Sequence, residues 1–278
     1  MKKKFVLFIL VLSLASFMGL KIYSDKIPRK KIPGSSIIYI PSGKHLKLAT
    51  LGCSSVLADL VYLWAIQYYS DFSIADRYKN LDHIFSVISE LDPHYLDPYE
   101  VGALIAVYEA GDPLLGLKVL DRGLEKNPNQ WIFPFQAGHY AQMVMKDFKL
   151  AQKYYQKAMK IEGAPAVARR LYAYSAFKLA DYETSWKTWL EIYREAEEER
   201  IKKIASNHLY QVKAAMDIRR INQAIEEFRK RYRHNPSDLS RLVETGLLES
   251  LPQDLDGQDY LYDQETGKTE PRSIPWKR

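Results

Sequence analysis

Residues 147–163 read DFKLAQKYYQKAMKIEG, and within them Ala151, Tyr155, Ala158 and Gly163 are separated by four, three and five residues. Thirty-five residues earlier the same offsets hold Gly116, Leu120, Gly123 and Pro128. Another thirty-five earlier stand Leu81, Phe85, Ile88 and Pro93, and thirty-four after Ala151 the pattern resumes as Ser185, Trp189 and Ile192. Offsets of four and three place side chains on one face of a helix. Self-similarity at this period marks stacked helical units, each unable to bury its apolar face alone. Small side chains at positions 116, 123, 151, 158 and 185 let neighbouring helices approach closely. Phe85, Leu120, Tyr155 and Trp189 then fill the grooves between them.

Each unit also has a first helix, predicted over 58–69, 99–108, 132–145 and 167–179, with short turns to the second. Gly111-Asp112-Pro113, Lys146-Asp147-Phe148 and Ala180-Asp181-Tyr182 occupy equivalent inter-helix positions. This pattern resembles the tetratricopeptide repeat (TPR), which sets a small residue, an aromatic and another small residue in the second helix and closes the unit with proline. The Trp-x-x-Leu-Gly signature of the family's first helix is degraded in every unit, which leaves the first-helix register open by one residue. The resemblance implies an all-α fold, a TPR-like helical-repeat superhelix of about four units over 51–195, and a protein- or peptide-binding groove lined by the first helices. Tyr108, Tyr140 and Tyr174 recur at 32 and 34 residues and could form a ladder along that groove with Gln136 and Arg170. Tyrosine offers large contact area at low entropic cost, which suits partner binding. The alternative is that these tyrosines belong to the repeat core.

After the repeats, residues 195–232 are charged and carry Ile201, Ile204, Ala205, Leu209, Val212, Ala215, Met216 and Ile218 on a helical period, predicting two long capping helices within 196–234. A C-terminal appendix, 235–278, opens with a short helix capped by Ser237, followed by a turn at 251–257 and a strand at 260–263. The helix from Ile221 to Tyr232, Asn235-Pro236, Leu239, Leu242-Val243, Gly246-Leu247-Leu248, Leu251-Pro252, Asp254, Gly257 and Tyr260 to Asp263 resemble the end of the globular part of type II secretion major pseudopilins. That resemblance implies a setting near pilus or secretion machinery. The family's methylated prepilin signal and single long N-terminal helix have no counterpart here. Asp254, Asp256, Asp259 and Asp263 supply oxygen ligands suited to calcium, an idea the pseudopilin resemblance strengthens; the alternative is a solvated turn.

At the N-terminus, Met1-Lys2-Lys3-Lys4 precedes an uncharged apolar run from Phe5 to Leu20. Sixteen residues at about 1.5 Å each give roughly 24 Å of helix, which Lys21, Ile22 and Tyr23 can extend toward bilayer thickness. Residues 1–23 are read as an uncleaved transmembrane signal anchor, and 24–50, with Pro28, Pro33, Gly34, Pro41 and Gly43, as an extended linker. The leading lysines favour a cytoplasmic N-terminus and a body on the periplasmic side of the inner membrane. Signal cleavage, releasing a soluble periplasmic chaperone, is the alternative. Cys53 follows Leu51-Gly52 but lacks an apolar signal before it, so it is expected as a buried helical cysteine rather than a lipidation site.

The remaining composition argues by exclusion. A net charge of +6 over 278 residues, with basic and acidic groups interleaved, gives no concentrated stripe for nucleic acid. The lone cysteine rules out an internal disulfide, and six scattered histidines show no metal-ligand spacing. No Gly-x-Ser-x-Gly elbow, phosphate-cradling loop or dinucleotide fingerprint occurs. The expectation is therefore a scaffold without cofactor. An envelope hydrolase is the remote third reading.

Overall fold

A computed structural model describes residues 2–26 and 40–272, and the larger part of the linker and the extreme C-terminus lie outside them. The described chain is mainly helical, with a single two-stranded sheet. Helix α1 runs Lys2–Lys26, with side chains described from Ile9 to Tyr23. Among the described residues no helix is long and apolar enough to cross a membrane.

The described parts of the predicted linker are largely helical, and residues 24–26 belong to α1. Residues Gly43–Ala49 form α2, which packs on α4 (Leu81–Leu91). The approach is close because Gly43 has no side chain: a Cβ there would lie 2.5 Å from the Cβ of Glu90. The Lys44 amide donates to Glu90 Oε2 at 3.0 Å, and the His83 ring meets the Ile40 carbonyl oxygen at 2.7 Å. Contacts with distant residues thus fold a segment whose own composition favours extension. Cys53 is exposed, since it sits at the start of α3 (Ser54–Ser70) in the α2–α3 turn and not within the helix.

Three further helix pairs follow: α5 (Asp97–Leu104, continued by a wide π-turn at Ile105–Glu109) with α6 (Pro113–Lys126), α7 (Ile132–Met143) with α8 (Phe148–Met159), and α9 (Ala166–Lys178) with α10 (Tyr182–Glu195). Each packs on its sequence neighbours, while α4 also reaches α6 and α5 reaches α7. The second-helix register from the sequence lies inside: Phe85, Leu120, Tyr155 and Trp189 are at most 2% exposed, and Leu81, Gly116, Ala151 and Ser185 are buried. Sterics enforce the small residues. A Cβ on Gly116 would come 2.4 Å from Val107, and one on Gly138 would come 2.8 Å from the Tyr155 ring.

The turns within the pairs share one device. Gly111, Lys146 and Ala180 adopt φ of 69°, 57° and 57°, and the aspartate after each caps the next helix. The carboxylates of Asp112, Asp147 and Asp181 accept from the amides of Leu115, Leu150 and Thr184 at 2.9, 2.9 and 3.2 Å. Each satisfies an amide that the helix start leaves without an intrahelical partner.

Where two capping helices were expected, a single helix α11 spans Glu199–Tyr232, ending at Arg233 in the left-handed conformation. Its 34 residues include neither Gly nor Pro and are rich in strong helix formers, so nothing local breaks it. The first half packs with α9 and α10 through Ala205, Leu209 and Val212; the second joins Leu239, Leu242, Leu248 and Tyr260 in a separate core. The short helix α12 covers Ser240–Glu244, later than the sequence suggested, because Asp238 rather than Ser237 accepts from the Ser240 amide at 2.9 Å. Strand β1 (Leu261–Asp263) pairs antiparallel with β2 (Lys268–Glu270), so the expected strand is one arm of a hairpin.

Candidate functional site

The first helices repeat as faithfully as the second ones. At 36-, 36-, 34- and 34-residue steps, Tyr69, Ile105, Ala141, Ser175 and Leu209 are all buried, at no more than 6% exposure. This gives the first helices one common buried line, which the first half of α11 continues. Turning from that buried line, the same steps generate two neighbouring columns: Trp64, Glu100, Gln136, Arg170 and Ile204, and Tyr68, Leu104, Tyr140, Tyr174 and His208. They mark the face common to the first helices.

Contacts join the columns. Gln136 Nε2 donates to Glu100 Oε2 at 2.5 Å. Burial raises the Glu100 carboxyl and the Gln136 hydrogen bond opposes this, leaving the group above the usual carboxylate range with a contribution from Asp97. Tyr108 packs edge-on against Tyr140, ring centres 5.7 Å apart. Burial, followed by Tyr108 and Glu100, pushes the Tyr140 hydroxyl up to about 12. Tyr140 is therefore a neutral phenol at physiological pH. Tyr174 meets the Phe148 ring edge-on at 6.2 Å, and the Lys178 ammonium lies 5.4 Å from its ring centre.

Arg170 and Tyr174 open onto a depression of about 370 Å³ shared by four helices, whose wall includes Gln142, Trp189, Ile204 and His208. One wall is the His208 ring, which stacks on the buried Trp189 at 4.1 Å with the planes 13° apart. Burial lowers the His208 pKa, a hydrogen bond with Gln211 opposes it, and nearby Arg170 reinforces the lowering. The imidazole is thus kept neutral. Arg170 Nε and Gln136 Oε1 are buried atoms without a hydrogen-bond partner among the described residues. Buried polar groups are normally satisfied, so both have unused capacity for a polar ligand or water.

The proposed tyrosine ladder needs two corrections: Tyr140, 5% exposed, belongs to the core of the repeats, as the alternative reading had it, and Tyr108 is out of register. Tyr140 and Tyr174 occupy one column, but their counterpart on α5 is Leu104, and Tyr108 lies one turn beyond it, 58% exposed, within the π-turn. The step between these two units is 36 residues, so the 32-residue spacing does not reflect structural equivalence. Sequence reasoning missed Glu100, Gln142 and His208; the 34-residue step from Tyr174 leads directly to His208 and was the available signal. Trp189 was identified only as a groove filler.

The four carboxylates considered for calcium are not gathered. Among the described residues no group of three or more potential ligands could hold a metal ion. Asp254 turns inward, 7% exposed, accepting from Tyr210 and from the amides of Asp256 and Gln258. Asp259 accepts from Gln253 at 3.0 Å, while Asp263 closes its own turn by accepting from Glu265 N and Thr266 Oγ1. Hydrogen bonds to Tyr210 and within the turns engage oxygens of Asp254, Asp259 and Asp263.

The chain matches no protein-family model and no curated protein.

Proposed function

We propose that this protein is a membrane-anchored scaffold whose TPR-like superhelix binds a protein or peptide segment along the first-helix face. The observation that carries the reading is the pair of columns ending in the Arg170–Tyr174–His208 depression. It sets the Tyr174 and His208 rings beside polar atoms that have no hydrogen-bond partner among the described residues, as a hot-spot region does. The N-terminal apolar run supplies the anchor, with the body on the outer side of the inner membrane. The pseudopilin-like tail makes a pilus or secretion assembly the preferred setting. No catalytic role is assigned to any residue.

The test is photocrosslinking in intact cells from a photoreactive residue at position 174, with mass spectrometry of the captured product. One dominant envelope component is the expected result. A broad mixture of unrelated envelope proteins would indicate a chaperone instead.

A further inference from the structure

The N-terminal end of the helical stack carries apolar surface that the repeats do not use. Helix α3 buries Ala58, Ala65, Tyr68 and Tyr69, yet Val56, Leu60 and Leu63, spaced four and three apart, are 60%, 58% and 59% exposed. Just before them Leu48 and Leu51 are 79% and 94% exposed, Leu51 projecting from a tight turn at φ 50° beside Gly52 at φ 100°. An outer apolar stripe on a helix that already buries its inner one is ordinarily covered, by protein or by lipid.

The charge pattern distinguishes between those enclosures. From Lys26 to Ala58 the sequence holds Lys26, Arg29, Lys30, Lys31, Lys44 and Lys47 and no aspartate or glutamate. Lys44 and Lys47 are exposed on α2, and the first carboxylate after them is Asp59, exposed next to Leu60. Leucine interleaved with lysine suits the headgroup boundary of an anionic bilayer, where apolar burial and charge attraction add. Protein interfaces are depleted of lysine. Chain length agrees. The residues 27–39 join α1 to Ile40 and span at most about 50 Å, so a bilayer holding α1 is within reach of this face.

Resting on the reading of α1 as a bilayer anchor, we propose that Leu48, Leu51, Val56, Leu60 and Leu63, flanked by Lys44 and Lys47, seat the N-terminal end of the stack on an anionic lipid surface. Docking there holds the body against the membrane by a second contact, independent of the tether.

Cys53, the only cysteine and exposed between Leu51 and Val56, provides the probe. The full chain, labelled there with an environment-sensitive fluorophore, is reconstituted into vesicles of phosphatidylglycerol and phosphatidylethanolamine containing spin-labelled lipid. The expected result is flotation with the vesicles, blue-shifted emission and strong quenching. In Leu60→Glu/Leu63→Glu, or in pure phosphatidylcholine, quenching falls several-fold while flotation persists. Flotation with a water-like, unquenched label overturns the docking proposal and leaves the anchor standing. Failure to float overturns both. Protection that ignores lipid charge and grows with protein density means that a second copy covers the face, which also overturns it.

Discussion

At the scale of single residues, close approach explains more than polarity does. Gly138 lies beneath the Tyr155 ring, which is fully buried and has no room to retreat. Gly138→Ala is therefore expected to cost about 1–3 kcal/mol, measured by urea unfolding, as overpacking does in other cores. His208 makes a prediction in pH. Its folded pKa lies below the ordinary histidine value, so the unfolded chain takes up the proton first as pH falls. Stability is level above about pH 6.5, declines as pH drops through the unfolded imidazole's range, and levels again below the folded pKa. Thermal melts of His208→Gln should lack that acid decline. The repeat spacing made Tyr140, Tyr174, Gln136 and Arg170 legible as a face. The π-turn at 105–109 was not, because such a widening has no composition signature.

Elements were legible wherever local signals and packing agreed. The aspartates at 112, 147 and 181 follow a left-handed residue and start helices just where the repeat needs them. Asp147→Ala should cost about 1 kcal/mol by chemical denaturation through loss of the cap. Helix α2 was hidden because its stability comes from Glu90 and Val87 on α4, contacts no local window contains. The single long α11 shows the opposite failure: two helices were expected where one runs unbroken between two separate cores. Its continuity is testable. Met216→Pro removes a mid-helix hydrogen bond and should cost at least about 3 kcal/mol, with hydrogen exchange faster on both sides of position 216.

For the whole molecule, the period of 34–36 residues carried the helix-pair organisation from the sequence, and the inward side chains of both helices follow from it. Partner choice depends on how those columns meet another protein, which one chain's spacing does not encode. If the first-helix face is the site, Arg170→Ala with Tyr174→Ala should lower partner capture by roughly tenfold or more in a pull-down, with the melting profile little changed, since neither side chain is fully buried. The C-terminal end has a separate meaning. Ile221, Ile225 and Phe228 on α11 would be bare were it not for Leu239, Leu242, Leu248 and Tyr260 lying over them. A stack of like units can in principle grow without limit, copy upon copy, unless its end is closed. The tail is thus the cover of an apolar face on α11: a chain ending at position 234 should self-associate in a concentration-dependent way in sedimentation, which the intact chain should not do through that face.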